Sequence, residues 1–167
     1  MDTVITQLFD DILIGNIRER LLSRNETIAV AESVTSGLLQ LAISTADDAI
    51  KFYQGGLTAY NLGQKSRHLH IEPIHALSNN CVSERTAGEM AIGISELFKS
   101  DWGLGITGYA SPVLESDHKL FAFFAIVHNK DVIKTKRIKG KKDDPLQVQL
   151  FYVNELLDSL NQLLLSA

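Results

Sequence analysis

The sequence has little of three things, and each shortage excludes a class of protein. It has one cysteine, Cys81, so no intrachain disulfide can form, and a reducing compartment suits the chain. It has no apolar run near the roughly 18 residues that a membrane-spanning helix needs. Its first residues include Asp2, Asp10 and Asp11 in place of the basic residues with which a secretory signal peptide begins. We therefore expect a cytoplasmic protein that has no membrane partner.

Positive charge is also in short supply. The 167 residues contain 16 Lys and Arg against 20 Asp and Glu, which gives a net charge of -4. This balance argues against a general nucleic-acid binder, although it leaves room for a local basic patch. Prolines number only three, and we see no internal repeat, low-complexity segment or linker. We therefore expect a single domain over residues 1–167, long enough to bury a sizeable core.

The apolar patterns predict alternating strands and helices. Strands are predicted at 27–31, 55–60, 102–107, 120–127 and 132–139. Helices are predicted at 3–23, 38–46, 61–70, 73–77, 83–98 and from 145 onward. Helices separate the first three strands, whereas a tight turn at 129–131 joins the last two in a hairpin. We therefore predict an α/β fold, a three-layer α/β/α domain whose mixed, mostly parallel five-stranded sheet ends in that hairpin and has flanking helices.

The junction between the first strand and the second helix is the most informative stretch. There an apolar run reaches Glu32, Ser33 and Thr35 just before the helix begins. Such a junction presents unpaired backbone N–H groups and the positive end of the helix dipole. Ser33 could therefore be a nucleophile or an anion ligand, whereas Thr35 or Ser36 could simply cap the helix.

Two further polar segments are expected beside this junction. In sheets of this type ligands bind beyond the carboxyl ends of the parallel strands. Residues Tyr60–Asn61 and Thr107–Gly108 follow or end the second and third predicted strands. We therefore expect both segments to converge on Ser33.

Four motifs follow one another along the chain. Residues 31–37 read Ala-Glu-Ser-Val-Thr-Ser-Gly, and residues 55–65 contain Gly-Gly, Tyr60-Asn61 and Lys65. Residues 82–84 read Val-Ser-Glu, and residues 106–112 read Ile-Thr-Gly-Tyr-Ala-Ser-Pro. In order and spacing these segments resemble the Ala-Glu-Ser-Cys-Thr-Gly-Gly, Gly-Gly-(x3)-Tyr-Asn/Ser-(x3)-Lys, Val-Ser-Glu and Ile-Thr-Gly-x-Ala-Gly-Pro segments of the CinA C-terminal domain family, whose members include nicotinamide-nucleotide amidohydrolases. The resemblance covers roughly residues 5–165 and implies the stand-alone form of the domain.

The resemblance implies hydrolysis of the carboxamide of nicotinamide mononucleotide, a small-molecule nucleotide, without a metal or organic cofactor. Ser33 would be the nucleophile, with Lys65 or Tyr60 accepting or relaying its proton. The residues that we expect to bind the substrate are Glu32, Thr35, Gly56, Asn61, Thr107, Gly108 and Lys142, although Glu32 could instead cap a backbone N–H group. Backbone N–H groups at 34–35 or 107–108 would stabilise the oxyanion. Members of the family self-associate, so we also expect a homodimer.

Several departures from the family favour a second hypothesis, in which the chain is a diverged, catalytically weak or inactive homologue that binds a small molecule or forms oligomers. Val113 and Leu114 stand where the family has two glycines, and Phe121 replaces another glycine. Near the fifth strand the family has a Gly-(x)-Arg-(x3)-Arg run, whereas here Gly140 is followed by Lys141 and Lys142. These differences affect substrate recognition more than they affect the nucleophile.

Two other clusters have simple structural explanations. The histidines His68, His70 and His75 match no strong metal-ligand spacing, so we expect no metal site. The basic run 134–142 could hold a phosphate or polyanion. On a final hairpin strand, however, such a run more often prevents association between strand edges.

Overall fold

The computed structural model describes residues 7–167 and builds them around one five-stranded sheet. The strands are β1 (Ile28–Glu32), β2 (Tyr53–Thr58), β3 (Trp102–Tyr109), β4 (Phe121–His128) and β5 (Asp131–Lys139). The α-helices of this range are α1 (Asp11–Arg24), α2 (Leu38–Ser44), α3 (Leu62–Leu69), α4 (Pro73–Ser78), α5 (Glu84–Phe98) and α6 (Pro145–Ser166). Short 3-10 helices lie at Ala49–Lys51 and Leu114–Ser116.

The strand order is β2-β1-β3-β4-β5, which confirms the predicted α/β fold and the final hairpin. Strand β1 pairs in parallel with β2 and β3. Strand β4 pairs antiparallel with both β3 and β5. The predicted mostly parallel sheet therefore needs a correction, since two of these four pairings are antiparallel. The reason is that the one reversed strand, β4, lies inside the sheet and so has two neighbours.

The two faces of the sheet bury different residues of β1, because side chains alternate along a strand. Ile28 and Val30 pack in the core that α1, α2 and α6 cover. Ala29 and Ala31 pack on the opposite face, in the core that α3, α4 and α5 cover. The sheet thus lies between two helical layers, as predicted.

Helix α5 packs very closely on β3. A Cβ atom at Gly103 would overlap the backbone oxygen of Ala91, and one at Gly105 would overlap that of Ala87. The absence of side chains at these two strand positions lets the α5 backbone lie against the sheet.

The first helix begins later than predicted. It starts at Asp11 because the Asp10 carboxylate accepts the N–H groups of Ile12 and Leu13, both at 3.0 Å, and so caps the helix. Residues 7–10, which were predicted to be helical, precede the helix. Residues 3–6 of the predicted helix lie outside the described residues.

The second and third strands also differ from their predicted bounds. Strand β2 ends at Thr58, so Tyr60 lies in the connection to α3. Strand β3 continues to Tyr109, two residues beyond its predicted end. No helix in the described part of the chain combines the length and apolarity needed to cross a bilayer.

Candidate active site

A cavity of about 480 Å³ opens where β1, β2 and β3 end. Its walls come from the β1–α2 turn, the start of α3, the segment before α5, the end of β3 and the first turns of α6. The residues predicted to be catalytic or to bind substrate that line it are Ser33, Tyr60, Asn61, Lys65, Thr107 and Gly108. The three polar segments therefore converge, in a space of the size that small-molecule sites have.

Ser33 and Lys65 form a buried pair at the base of this cavity. Ser33 directly follows β1, and Lys65 lies on α3 one turn before the buried Leu69. Lys65 Nζ donates hydrogen bonds to Ser33 Oγ at 2.9 Å and to the carbonyl oxygen of Ala59 at 2.8 Å. Lys65 is only 1% exposed and Ser33 only 7% exposed.

The surroundings of Lys65 disfavour its charged form. Burial lowers the pKa of the Lys65 ammonium below 10.5, and nearby Cys81 opposes that shift to a smaller extent. No carboxylate of the described residues forms an ion pair with Lys65. A neutral Lys65 amine can accept the Ser33 hydroxyl proton, which is what a general base requires.

Glu32 points away from this pair and caps α2. The side chain is fully buried, and its Oε1 atom accepts the Thr35 hydroxyl at 2.5 Å and the Leu39 N–H at 2.8 Å. Its Oε2 atom accepts the Gln40 N–H at 3.0 Å. The cap predicted at Thr35 or Ser36 is therefore wrong, because a carboxylate at the end of β1 already binds the first N–H groups of the helix.

The turn that Glu32 holds in place leaves two backbone donors free. Gly37 adopts a φ of 102°, a left-handed conformation that suits glycine. Among the hydrogen bonds of residues 7–167, the N–H groups of Val34 and Thr35 have no acceptor. Val34 lines the cavity, and its carbonyl oxygen accepts Gln149 Nε2 at 2.8 Å. These N–H groups are therefore the candidate oxyanion donors nearest to Ser33 in sequence.

Tyr60 lies at the rim of the cavity. It is 71% exposed, and the hydrogen bonds of the described residues include none from its hydroxyl to Ser33 or Lys65. The structure thus places Lys65, rather than Tyr60, in direct contact with Ser33.

Four of the residues expected to bind substrate do not line the cavity, namely Glu32, Thr35, Gly56 and Lys142. The first two form the α2 cap. Gly56 lies on β2 under the Gln40 side chain, where a Cβ atom would come within 2.6 Å of Gln40 Cγ. Lys142 lines a different cavity, beside the end of β5.

Sequence reasoning missed several lining residues, including Asn80, Cys81, Tyr109 and Gln149. The carbonyl oxygen of Cys81 accepts the Thr107 hydroxyl at 2.8 Å. The pair Asn79–Asn80 is a turn signal that indicates a loop here, but Gln149 gives no such signal because α6 is distant in sequence.

Two of the histidines considered as metal ligands contact neighbouring polar side chains. His75 Nε2 lies 2.9 Å from Ser83 Oγ, and His68 Nε2 lies 3.0 Å from Gln64 Oε1. No group of three or more His, Cys, Asp or Glu side chains within residues 7–167 is arranged to hold a metal ion.

Fold and site together define a class: an α/β/α domain with a buried serine–lysine pair at the carboxyl ends of its parallel strands. The family model described as the CinA C-terminal domain matches residues 10–164. The chain therefore belongs to the CinA C-terminal domain family.

Relatives and solved structures agree with this assignment. A CinA-like protein of Prochlorococcus marinus (strain MIT 9215) is 31% identical over 160 residues, which cover 94% of this chain but 38% of that protein. Protein MG115 of Mycoplasma genitalium is 30% identical over 149 residues, 89% of this chain and 94% of its own length. The chain thus spans well under half of the first relative and nearly all of the second. The crystal structure of a CinA superfamily protein from Escherichia coli has a TM-score of 0.84 at 28% identity and covers 96% of this chain and 95% of its own.

Proposed function

We propose that this chain hydrolyses the carboxamide of nicotinamide mononucleotide, giving the nicotinate mononucleotide and ammonia, with Ser33 as nucleophile. The observation that supports it most strongly is the 2.9 Å contact between Ser33 Oγ and the buried Lys65 Nζ. The family membership of the chain supports the choice of substrate.

The proposed reaction has two halves. The neutral Lys65 amine takes the Ser33 hydroxyl proton while Ser33 Oγ attacks the carboxamide carbon, and the N–H group of Val34, which lines the cavity, stabilises the oxyanion. Lys65 then returns the proton to the leaving nitrogen, which departs as ammonia and leaves an ester on Ser33. In the second half Lys65 takes a proton from water, the resulting hydroxide attacks the ester, and Ser33 recovers its proton as the carboxylic acid leaves.

The lining residues are assigned to substrate contact. Asn61, Thr107 and Gly108 contribute to the wall beside Ser33, and Tyr60 contributes at the exposed rim. Glu32 and Thr35 act through the shape of the turn, since their side chains bind each other and α2.

The alternative function, a diverged homologue that binds a small molecule without turnover, has one observation in its favour. Among the residues that line the Ser33 cavity, the charged ones are Lys65 and Glu115. Lys65 could not readily bind the phosphate of a mononucleotide at the rim, because its Nζ atom already donates to Ser33 and Ala59. The Glu115 carboxylate would repel that phosphate. Of the two residues that replace family glycines, Val113 lines the cavity, whereas Leu114 is 82% exposed and is not part of the cavity wall.

The decisive assay incubates the pure protein with nicotinamide mononucleotide and follows ammonia release. We expect release by the wild type and its loss in Ser33→Ala and Lys65→Met. The matched controls, Ser44→Ala and Lys51→Met, remove the same groups from exposed positions and should release ammonia at the wild-type rate.

Two outcomes contradict the proposal in different ways. Saturable binding of the nucleotide without ammonia release at high protein concentration would favour the binding function instead. Release that survives Ser33→Ala would retain the reaction but eliminate Ser33 as its nucleophile.

A further inference from the structure

A second cavity, of about 700 Å³, lies beside the end of β5 and is lined by four cationic side chains, Lys119, Arg137, Lys139 and Lys142. We term this set the cationic basin. It shares no lining residue with the cavity that contains Ser33. The basin is therefore a separate surface feature with its own charge.

The cations of the basin come from three different segments. Lys119 precedes β4, Arg137 and Lys139 lie on β5, and Lys142 follows β5. A hydrogen bond from the Gly140 N–H to the Leu120 carbonyl oxygen, at 2.8 Å, joins the end of β5 to the segment that contains Lys119. The fold thus adds Lys119, which is distant in sequence, to three cations of the basic run 134–142.

Little negative charge balances these cations. Lys119 pairs with exposed Asp117 at 2.7 Å, and no other ion pair of the described residues includes a basin cation. No carboxylate side chain lines the cavity. By contrast, Lys136 on the same strand pairs with Glu155 at 2.8 Å. Like charges that face one cavity repel each other, so a bound anion would relieve that repulsion.

The Arg137 guanidinium is also held in place. It lies 4.4 Å from the centre of the Phe121 ring, a cation–π contact. The Phe121 ring is in turn packed edge-on against Tyr109, with 5.4 Å between ring centres. A guanidinium fixed in this way loses little freedom when its two-pronged edge binds a phosphoryl group.

We propose that the cationic basin is a binding site for a small, highly charged phosphoryl oxyanion such as inorganic pyrophosphate. The competing explanation is that the charges only keep the edge strand β5 from pairing with another sheet. Edge protection accounts for cations on β5 itself. It does not account for Lys119 and Lys142, which join them from outside the strand.

The test uses inorganic pyrophosphate as the probe and the Ser33→Ala chain, so that the result does not depend on catalysis. Titrations followed by calorimetry and by backbone amide NMR are run at constant ionic strength. The variant Arg137→Gln/Lys139→Gln removes two basin charges. Its matched control, Lys134→Gln/Lys136→Gln, removes two charges from the same strand outside the basin.

We expect saturable binding that the basin variant weakens about tenfold or more, while the control stays within about twofold of the parent. The amide signals of residues 118–120 and 137–142 should shift. Three results would overturn the proposal: no saturable binding, equal weakening in both variants, or shifts confined to residues around Ser33. Binding of a single-stranded oligonucleotide that is tighter than that of pyrophosphate and equally sensitive to both variants would also overturn it, since it would indicate a diffuse polymer surface.

Discussion

Replacing Glu32 by glutamine should destabilise the fold markedly, although the change removes only a charge. The carboxylate of Glu32 accepts three hydrogen bonds, from Thr35, Leu39 and Gln40, in a fully buried position. A glutamine amide can accept through its oxygen, but its NH2 group would face a backbone N–H and could not accept from it.

The size of the effect follows from these contacts. One charge-assisted bond is lost and one partly buried N–H, that of Gln40, is left without an acceptor, so we expect a loss of about 2–4 kcal/mol in the free energy of unfolding. For a chain of this size that corresponds to a fall of roughly 5–15 °C in Tm. The protein should still fold, since typical stabilities are about 5–15 kcal/mol.

Urea denaturation followed by circular dichroism measures this difference directly. The control is Glu19→Gln, a matched change on an exposed face of α1, which should alter stability by less than about 0.5 kcal/mol. If Glu32→Gln unfolds at the same urea concentration as the control, the carboxylate does not hold the turn and the reasoning fails.

Three further predictions concern stability. Because burial lowers the pKa of Lys65 in the folded state, the unfolded state binds more protons between that lowered pKa and 10.5. The stability of the wild type relative to Lys65→Met should therefore rise with pH across this window, as measured by urea denaturation. Gly103→Ala should lower the free energy of unfolding by about 1–3 kcal/mol, because a methyl group there meets the α5 backbone. Gly15→Ala should raise it by about 0.5–1 kcal/mol in the same experiment, because a methyl group on α1 there meets nothing within 4 Å.

Each of these predictions has a clear contrary result. A stability difference between wild type and Lys65→Met that stays constant over the pH window would show that the Lys65 pKa is unshifted. If Gly103→Ala leaves the free energy of unfolding unchanged, α5 can move away from β3 without loss of stability.

The sheet was largely predictable because its strands carry strong local signals. The buried run of β1 and the turn between β4 and β5 are both visible in the sequence. The number of antiparallel pairings was not predictable in the same way, because the position of β4 inside the sheet depends on contacts between distant segments.

The site was predictable where residues follow strand ends. Ser33, Asn61 and Thr107 converge as expected, because parallel strands end at one edge of the sheet. The role of Glu32 required more than motif matching. The alternation of β1 puts Glu32 and Ser33 on opposite faces, so that Glu32 reaches α2 while Ser33 reaches α3.

Lys65 also carried a signal in its spacing. It lies four residues before Leu69 on the buried face of α3, where an apolar residue is usual. Its contact with Ser33 still depended on the packing of α3 against the end of β1, which the local pattern of neither segment determines.

The most direct test of the serine–lysine pair is the titration of Lys65 itself, which needs no substrate. NMR of isotope-labelled lysine side chains, with Lys65→Met used to assign the signal, gives the pKa of each ammonium group. The account predicts that the pKa of Lys65 lies below the ordinary lysine value of 10.5. If the measured pKa of Lys65 is 10.5 or higher, burial does not favour the neutral amine, and the assignment of Lys65 as the base is contradicted.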